Sequence, residues 1–416
     1  MNYTFHTVTD VLESGDQVEV RWKDTTFYGM FISRDENVTV IKLQNGYNLS
    51  LDNSSISRIN LLSKWNPKNI PLGGKRGKGK KIFLLGTGGT IASYVDYETG
   101  AVKPLKTAEE MLFAQPDLAE IANVEAEVFL SILSEDMKKS DWIKIARKVY
   151  DKINEGIGVV VTHGTDTLSF TSSALSFLIE NPKAPVVFTA SQRSPDRPSS
   201  DAYFNLLGAA KVAQSDIGEV CVVMHSSTSD DQLDVHSGVR VRKMHTSRRD
   251  AFKSINSGRL GSVDRKLEIK WDHYTKINKE DTRLYDNVSE KVGLLYFYPG
   301  LSKDLFRDFA ERNDGLIIAG TGLGHISGSF ISDIKEYTAR GKIIGMTSQC
   351  FYGSVNLNVY TTGRNLLEAG VIPLSDMLPE VAYTKLSFLL GNFDPERARE
   401  LLTTNLRGEI SGRRTE

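Results

Sequence analysis

Two apolar runs of this chain end in dense Gly/Thr turns, Leu84-Leu-Gly-Thr-Gly-Gly-Thr-Ile-Ala-Ser93 and Val159-Val-Val-Thr-His-Gly-Thr-Asp-Thr-Leu168. Glycines let backbone N–H groups approach a ligand, and the threonines set hydroxyls beside them. That combination suits an oxyanion hole next to a hydroxyl nucleophile. A threonine hydroxyl is a weak nucleophile until a neighbouring base takes its proton. One source of a base is the run Val239–Phe252, which concentrates Arg240, Arg242, Lys243, Arg248 and Arg249. As a solvated face this run needs no explanation. As part of a site, a desolvated lysine beside a carboxylate serves proton transfer. Composition admits both.

Other chemistries fit less well. Gly86-Thr-Gly88 opens like a dinucleotide fingerprint, but position 91 is Ile91 where a third glycine belongs, and Gly320-Thr-Gly-Leu-Gly324 also misses the spacing. Gly74–Gly79 with Lys80 approximates a phosphate loop, yet Lys81 stands where Ser or Thr is needed, and the segment precedes a strand instead of following one. Asp230, Asp231, Asp234 and His236 share a polar loop that reads more simply as a solvated edge than as a metal site. His163, at the end of a strand, reads as a hydrogen-bonded structural residue before a catalytic base. Cys221 and Cys350 are too few for a disulfide framework or a cysteine zinc site and fit a reduced compartment.

The elements that must position these turns follow from periodicity. Residues 1–64 alternate with period two in short runs (Gln17–Trp22, Phe27–Ile32, Val38–Leu43) broken at Asn45-Gly46 and Asn53-Ser54, which predicts a small antiparallel barrel or sheet. Residues 65–81, rich in Gly and Lys, read as a linker. From residue 82 to 275, short β-branched runs (Ile82–Leu85, Val128–Leu133, Gly158–Thr162, Val186–Ala190, Glu219–Met224) alternate with helical periods. An example is Ser140–Ile153, with Trp142, Ile145, Ala146, Val149 and Ile153 on one face. Strand–helix–strand repetition predicts a doubly wound parallel α/β domain, whose ligands sit at the carboxyl ends of the strands. A polar linker, 276–291, leads to a smaller α/β domain over 292–393, and 394–416 reads as a helix with a polar tail.

Across its 416 residues the chain balances 51 Lys+Arg against 52 Asp+Glu, so no global basic field grips nucleic acid, and any such role is local or shared. No apolar stretch reaches the roughly 18 residues of a membrane helix, and the amino terminus does not read as a secretory signal, which predicts a cytoplasmic protein with no membrane contact.

The turns Thr87-Gly-Gly-Thr-Ile-Ala92 and His163-Gly-Thr-Asp-Thr167, with Ser134-Glu-Asp-Met137 between them and Lys243 after them, resemble the asparaginase/glutaminase family of amidohydrolases over about residues 80–390. The resemblance implies an asparaginase-like two-domain α/β fold. It implies Thr90 as nucleophile and Thr165, Asp166 and Lys243 as a second cluster, in which Lys243 held by Asp166 acts on the Thr165 hydroxyl. The division of labour between the two threonines stays open. It further implies substrate contacts from Gly89, Gly164, Ser134 and Glu135, a lid tyrosine at Tyr97, and Glu380 as an acidic residue donated by a neighbouring subunit, hence a homodimeric core.

The extra β domain, the basic run before Asp250-Ala-Phe252 and the segment Asp376–Leu386 depart from free asparaginases. Together they resemble the asparaginase-like subunits of archaeal-type tRNA-dependent amidotransferases. That resemblance implies a heterotetramer in which this chain hydrolyses glutamine without a cofactor. Ammonia then passes to a kinase/transamidase partner, which uses ATP and Mg to amidate glutamate esterified to tRNA. A stand-alone asparaginase/glutaminase is the alternative.

Overall fold

The computed structural model describes residues 12–13, 15–43, 48–64, 79–89, 91, 93–95, 102–104, 117–195 and 199–411. Thr90, Tyr97, the Asn45-Gly46 turn and most of the 65–81 segment lie outside the described residues.

The amino-terminal alternation produces a five-stranded antiparallel sheet in the order Asn48–Asp52, Val38–Leu43, Thr25–Arg34, Gln17–Trp22, Ile56–Ser63. Val18, Val20, Phe31, Ile41, Leu51 and Ile59 form its own small core. Period two puts Val18 and Val20 inward while Glu19 and Arg21 face outward, so this sheet buries one face only.

The central domain is organised by an eight-stranded sheet. Five parallel strands run in the order Asn123–Ile132, Lys81–Gly88, Gly158–Thr162, Val186–Thr189, Val220–His225. In sequence terms this is second, first, third, fourth, fifth. The direction of strand addition therefore reverses beside the first strand, and the two Gly/Thr turns follow the first and third strands at that switch point, where open α/β sheets bind ligands. The inner strands carry apolar side chains on both faces, as strands covered on both sides must. Beyond Val220–His225 the sheet continues with three antiparallel strands, Gln232–Ser237, Gly261–Asp264 and Ile269–Trp271. The expectation of a purely parallel sheet misses this extension, whose short strands sit among charged residues and lack a continuous apolar run.

One face of the sheet is covered by the helices Lys139–Asn154 and Leu168–Leu178, the other by Ala202–Val212. The smaller domain has a four-stranded parallel sheet, Val292–Tyr296, Gly315–Gly320, Ile343–Ser348 and Ile372–Pro373. The two domains meet through Leu168–Leu178 and Pro379–Asn392, where Phe177 stacks on Phe388 at 5.8 Å and the Ser173 and Thr384 hydroxyls lie 2.6 Å apart.

The polar stretch 276–291 is packed along both domains. Its strand Arg283–Leu284 pairs with Ile179–Glu180, and Val288 is buried so closely that a Cβ on Gly391 would meet its backbone at 2.7 Å. The polar tail is likewise fastened: Glu409, fully buried, accepts an ion pair from the fully buried Lys385 at 2.5 Å. Among the described residues no helix is long and apolar enough to cross a membrane.

Candidate active site

Backbone contact between the two Gly/Thr turns builds the site. Gly89 adopts φ +81°, and a Cβ there would lie 2.6 Å from the Gly164 Cα, so only glycine permits the approach. Gly164 in turn abuts Ser134, where an added Cβ would stand 2.5 Å from the Ser134 Cβ. The Thr87 hydroxyl donates to the Thr162 carbonyl at 2.7 Å and ties the ends of the two motif strands together. Three segments distant in sequence therefore converge at the switch point.

Lys243 reaches this junction from a hairpin, Val241–Lys243 paired with Phe252–Ser254. Its Nζ donates to Thr165 Oγ1 and to Asp166 Oδ1, each at 2.8 Å. Thr165 is buried, and only 14% of the Lys243 side chain is exposed, whereas Asp166 stays 65% exposed. The arrangement is a hydroxyl, an amine and an orienting carboxylate in one hydrogen-bonded row, which is the geometry a threonine needs for activation. The lysine expected to act on Thr165 is thus in contact with it.

Ser134 lies in the one-turn helix Ser134–Asp136, with Glu135 exposed beside it. The Ser134 hydroxyl accepts from the Thr167 backbone N–H at 3.0 Å, and the Thr167 hydroxyl donates to the Ser134 carbonyl at 2.7 Å. Thr167, present in the motif but without an expected role, is what holds the Ser134 turn against the second Gly/Thr turn. Two residues of the expected site, Thr90 and Tyr97, lie outside the described residues; Gly89 and Ile91 bracket Thr90 in the chain, and Ile91 is buried.

His163 is wholly buried. Its Nδ1 lies 2.8 Å from the Gly164 carbonyl, which can only accept, so Nδ1 carries the proton. Burial pushes its pKa down to about 4, so the ring is neutral and its bond to the Gly164 carbonyl is structural.

The basic run proves to be neither a bare solvated face nor a set of free cations. Each of its five cations meets a carboxylate: Arg240 with Asp376, Arg242 with Glu380, Lys243 with Asp166, Arg248 with Asp250 and Arg249 with Asp230. Glu380, which the resemblance implies is donated to a neighbouring subunit, is 2% exposed and engaged by Arg242 of its own chain. The stretch read as one polar loop is a turn at Asp230 and Asp231 followed by the strand Gln232–Ser237, which carries Asp234 and His236. Asp230 also meets His225, Asp234 pairs with Arg259, and the buried His236 contacts the Ser254 hydroxyl. Among the described residues no cluster of three or more His, Cys, Asp or Glu side chains is arranged to hold a metal ion.

Comparisons with known proteins follow the same division of the chain. The family described as asparaginase, N-terminal, matches residues 81–275; the glutaminase/asparaginase C-terminal domain matches residues 291–402; and the GatD N-terminal domain matches residues 12–62. A solved thermostable L-asparaginase from Thermococcus kodakarensis superposes with a TM-score of 0.72 at 36% identity, covering 80% of this chain and 100% of that one. L-asparaginase I from Vibrio cholerae gives 0.69 at 29% identity, covering 80% and 99%. The GatD subunit of glutamyl-tRNA(Gln) amidotransferase from Saccharolobus islandicus is 47% identical over 419 residues, covering 97% of this chain and 94% of the relative. The GatD subunit of Methanothermobacter thermautotrophicus is 45% identical over 414 residues, covering 97% and 95%. The likeness to the asparaginases thus extends over four-fifths of the chain, and that to the GatD proteins over nearly all of it, so the chain belongs to the GatD family of glutamyl-tRNA(Gln) amidotransferase subunits, built on the asparaginase fold.

Proposed function

We propose that this chain is the glutaminase subunit of a Glu-tRNA(Gln) amidotransferase. The observation that carries the chemistry is the contact of Lys243 with both Thr165 and Asp166 at 2.8 Å. The subunit reading is supported by the match of residues 12–62, a domain the two asparaginases' coverage leaves room for.

In the proposed reaction a threonine Oγ attacks the side-chain amide carbon of glutamine, and backbone N–H groups around Gly89, Thr90 and Thr165 hold the oxyanion. Collapse breaks the C–N bond, the departing amine takes a proton, and ammonia and a glutamyl ester result. Water then attacks the ester, releasing glutamate and restoring the hydroxyl. In the arrangement described, Lys243 donates to Thr165 Oγ1. During catalysis the same 2.8 Å contact carries a proton from the hydroxyl to the amine, with Asp166 holding the amine in place. The resemblance implies Thr90 as the nucleophile and Thr165 as the hydroxyl on which Lys243 acts, with the division of labour between the two threonines left open. Ser134, Glu135, Gly89 and Gly164 line the substrate end, and Tyr97 closes it.

Ammonia released here supplies a GatE-type partner that phosphorylates glutamate on tRNA with ATP and Mg and then amidates it. The chain itself uses no cofactor. A homodimeric core in a cytoplasmic heterotetramer completes the proposal; the balanced charge of this chain leaves most tRNA contact to the partner. The test is ammonia release from glutamine by the chain assembled with its partner and Glu-tRNA(Gln). Release that depends on Lys243 supports the reading. Asparagine hydrolysis by the isolated chain at a rate independent of partner and tRNA would instead support a free asparaginase.

A further inference from the structure

The lysine at the centre of the site is carried by a weak element. Val241–Lys243 and Phe252–Ser254 form a separate two-stranded sheet of three residues each, outside the eight-stranded sheet. An isolated two-stranded hairpin is marginal by itself. The loop that closes it is mostly exposed from Met244 to Arg248. Yet Lys243 Nζ must stay within hydrogen-bond reach of Thr165, and a displacement of about 1 Å in such a constellation costs on the order of 100-fold in rate.

Val241 and Phe252 anchor the hairpin in the core, and Ser254 and Lys253 reach His236 and the Ser226 carbonyl of the larger domain, while the side of Arg242 is held from the other domain. Successive side chains on a strand point to opposite faces, so within Val241–Lys243 the Arg242 side chain lies opposite that of Lys243, while Arg240 stands in the turn just before the strand. Arg240 Nη1 donates to Asp376 Oδ2 at 2.9 Å, and Arg242 Nη1 donates to Glu380 Oε2. Asp376 precedes the helix Pro379–Asn392 and Glu380 lies in its first turn, so the strand residue Arg242 meets the helix start and the turn residue Arg240 meets the segment that leads into it. Phe351, also from the smaller domain, lies under the Arg242 guanidinium at 4.2 Å. The tail adds a latch: Arg240 Nε donates to the Gly408 carbonyl at 2.7 Å and Nη2 to the Ser411 hydroxyl at 2.9 Å. Glu380 is almost wholly buried, and its second oxygen, Oε1, has no partner among the described residues, so its retention there rests on Arg242.

We propose that Arg242, clamped between Glu380 and Phe351, is a positioning residue that fixes Lys243 against Thr165, with Arg240 and Asp376 as the second rung of the same clamp. The smaller domain then sets the geometry of a base carried by the larger one. This inference rests on the proposed glutaminase reading for its kinetic test and on the hairpin alone for its physical test.

The experiment uses the full chain in complex with its partner. In Arg242→Ala, kcat for glutamine hydrolysis should fall about 10-fold or more while KM stays within about twofold, because the loss is of transition-state geometry and not of substrate contact. Added guanidinium ion should restore part of it, and Arg242→Lys should lie between. Glu380→Gln should fall likewise, and the double variant should be no worse than Arg242→Ala, since both break one contact. Hydrogen exchange of peptides covering 239–254 should quicken in Arg242→Ala. An unchanged kcat, or losses that multiply in the double variant, would overturn the clamp. A wild-type complex without glutaminase turnover would overturn the functional reading instead. The exchange measurement would then decide the clamp, and unaltered exchange in both Arg242→Ala and Glu380→Gln would refute it.

Discussion

Gly89 and Gly164 touch backbone to backbone: a Cβ on Gly89 would sit 2.6 Å from the Gly164 Cα. The two Gly/Thr turns, 75 residues apart in chain position as judged by the Thr87–Thr162 hydrogen bond, become one site only because neither carries a side chain at this point. Gly89→Ala therefore forces the turns apart and places alanine at φ +81°. The expected loss is about 2 kcal/mol or more of stability, together with most of the glutaminase activity. Urea midpoints and steady-state rates check this; an alanine variant of wild-type stability and rate would show that the turns do not need to touch.

The buried pair Lys385–Glu409 gives a second prediction. Lys385 also donates to the Leu402 and Thr404 carbonyls, so the tail depends on it. Lys385→Met alone leaves Glu409 charged and buried and should cost about 3–5 kcal/mol, whereas Lys385→Met with Glu409→Leu should recover much of that. Thermal unfolding of the single and double variants distinguishes this from a tail that is merely laid on the surface.

Acid should weaken the fold through buried histidines. His163 and His236 are both held down to about 4 by burial, against 6.5 for an unperturbed ring. Their folded-state pKa is depressed, so the unfolded chain binds the extra protons first. Their contribution is full above pH 6.5, declines as pH falls from there toward 4, and reaches at most about 3 kcal/mol for each ring. Urea midpoints measured between pH 7.5 and 4.5 should fall, and His236→Gln should flatten the slope. A pH-independent midpoint over that range would contradict the assignment.

The amide-hydrolysing cluster predicts its own sensitivity. Thr165→Val removes the hydroxyl that accepts from Lys243 without changing shape, and Asp166→Asn removes the charge that orients the amine. Thr165→Val should lower glutaminase kcat by more than about 100-fold. Asp166→Asn, whose carboxylate is mostly exposed, should lower it by less. Equal and small effects from both would remove the row from the mechanism.

The parts of this molecule that are legible in sequence are those written locally. The β-branched runs and the face Trp142, Ile145, Ala146, Val149 and Ile153 correspond to the parallel strands and the helix Lys139–Asn154, because periodicity reports burial directly. The Gly/Thr turns are visible because close backbone approach demands glycine. Lys243 stands out through the resemblance to a family and not through its neighbours, since five cations in one run look alike until their partners are known. Arg242 and Glu380 lie 138 residues apart, and nothing in either segment announces the other. Segment 276–291 and the polar tail read as polar connections because only scattered buried residues, Thr282 and Val288 in the one and Glu409 in the other, anchor them, and scattered residues make no period.

The central claim is that the Thr165–Asp166–Lys243 site of this chain makes the ammonia that amidates Glu-tRNA(Gln). The most direct measurement is formation of Gln-tRNA(Gln) by the assembled complex, wild type against Lys243→Met, with either glutamine or ammonium as the only nitrogen donor. The account predicts that Lys243→Met loses glutamine-dependent formation by more than about 100-fold and keeps ammonium-dependent formation near wild type. Undiminished glutamine-dependent formation in Lys243→Met would contradict it.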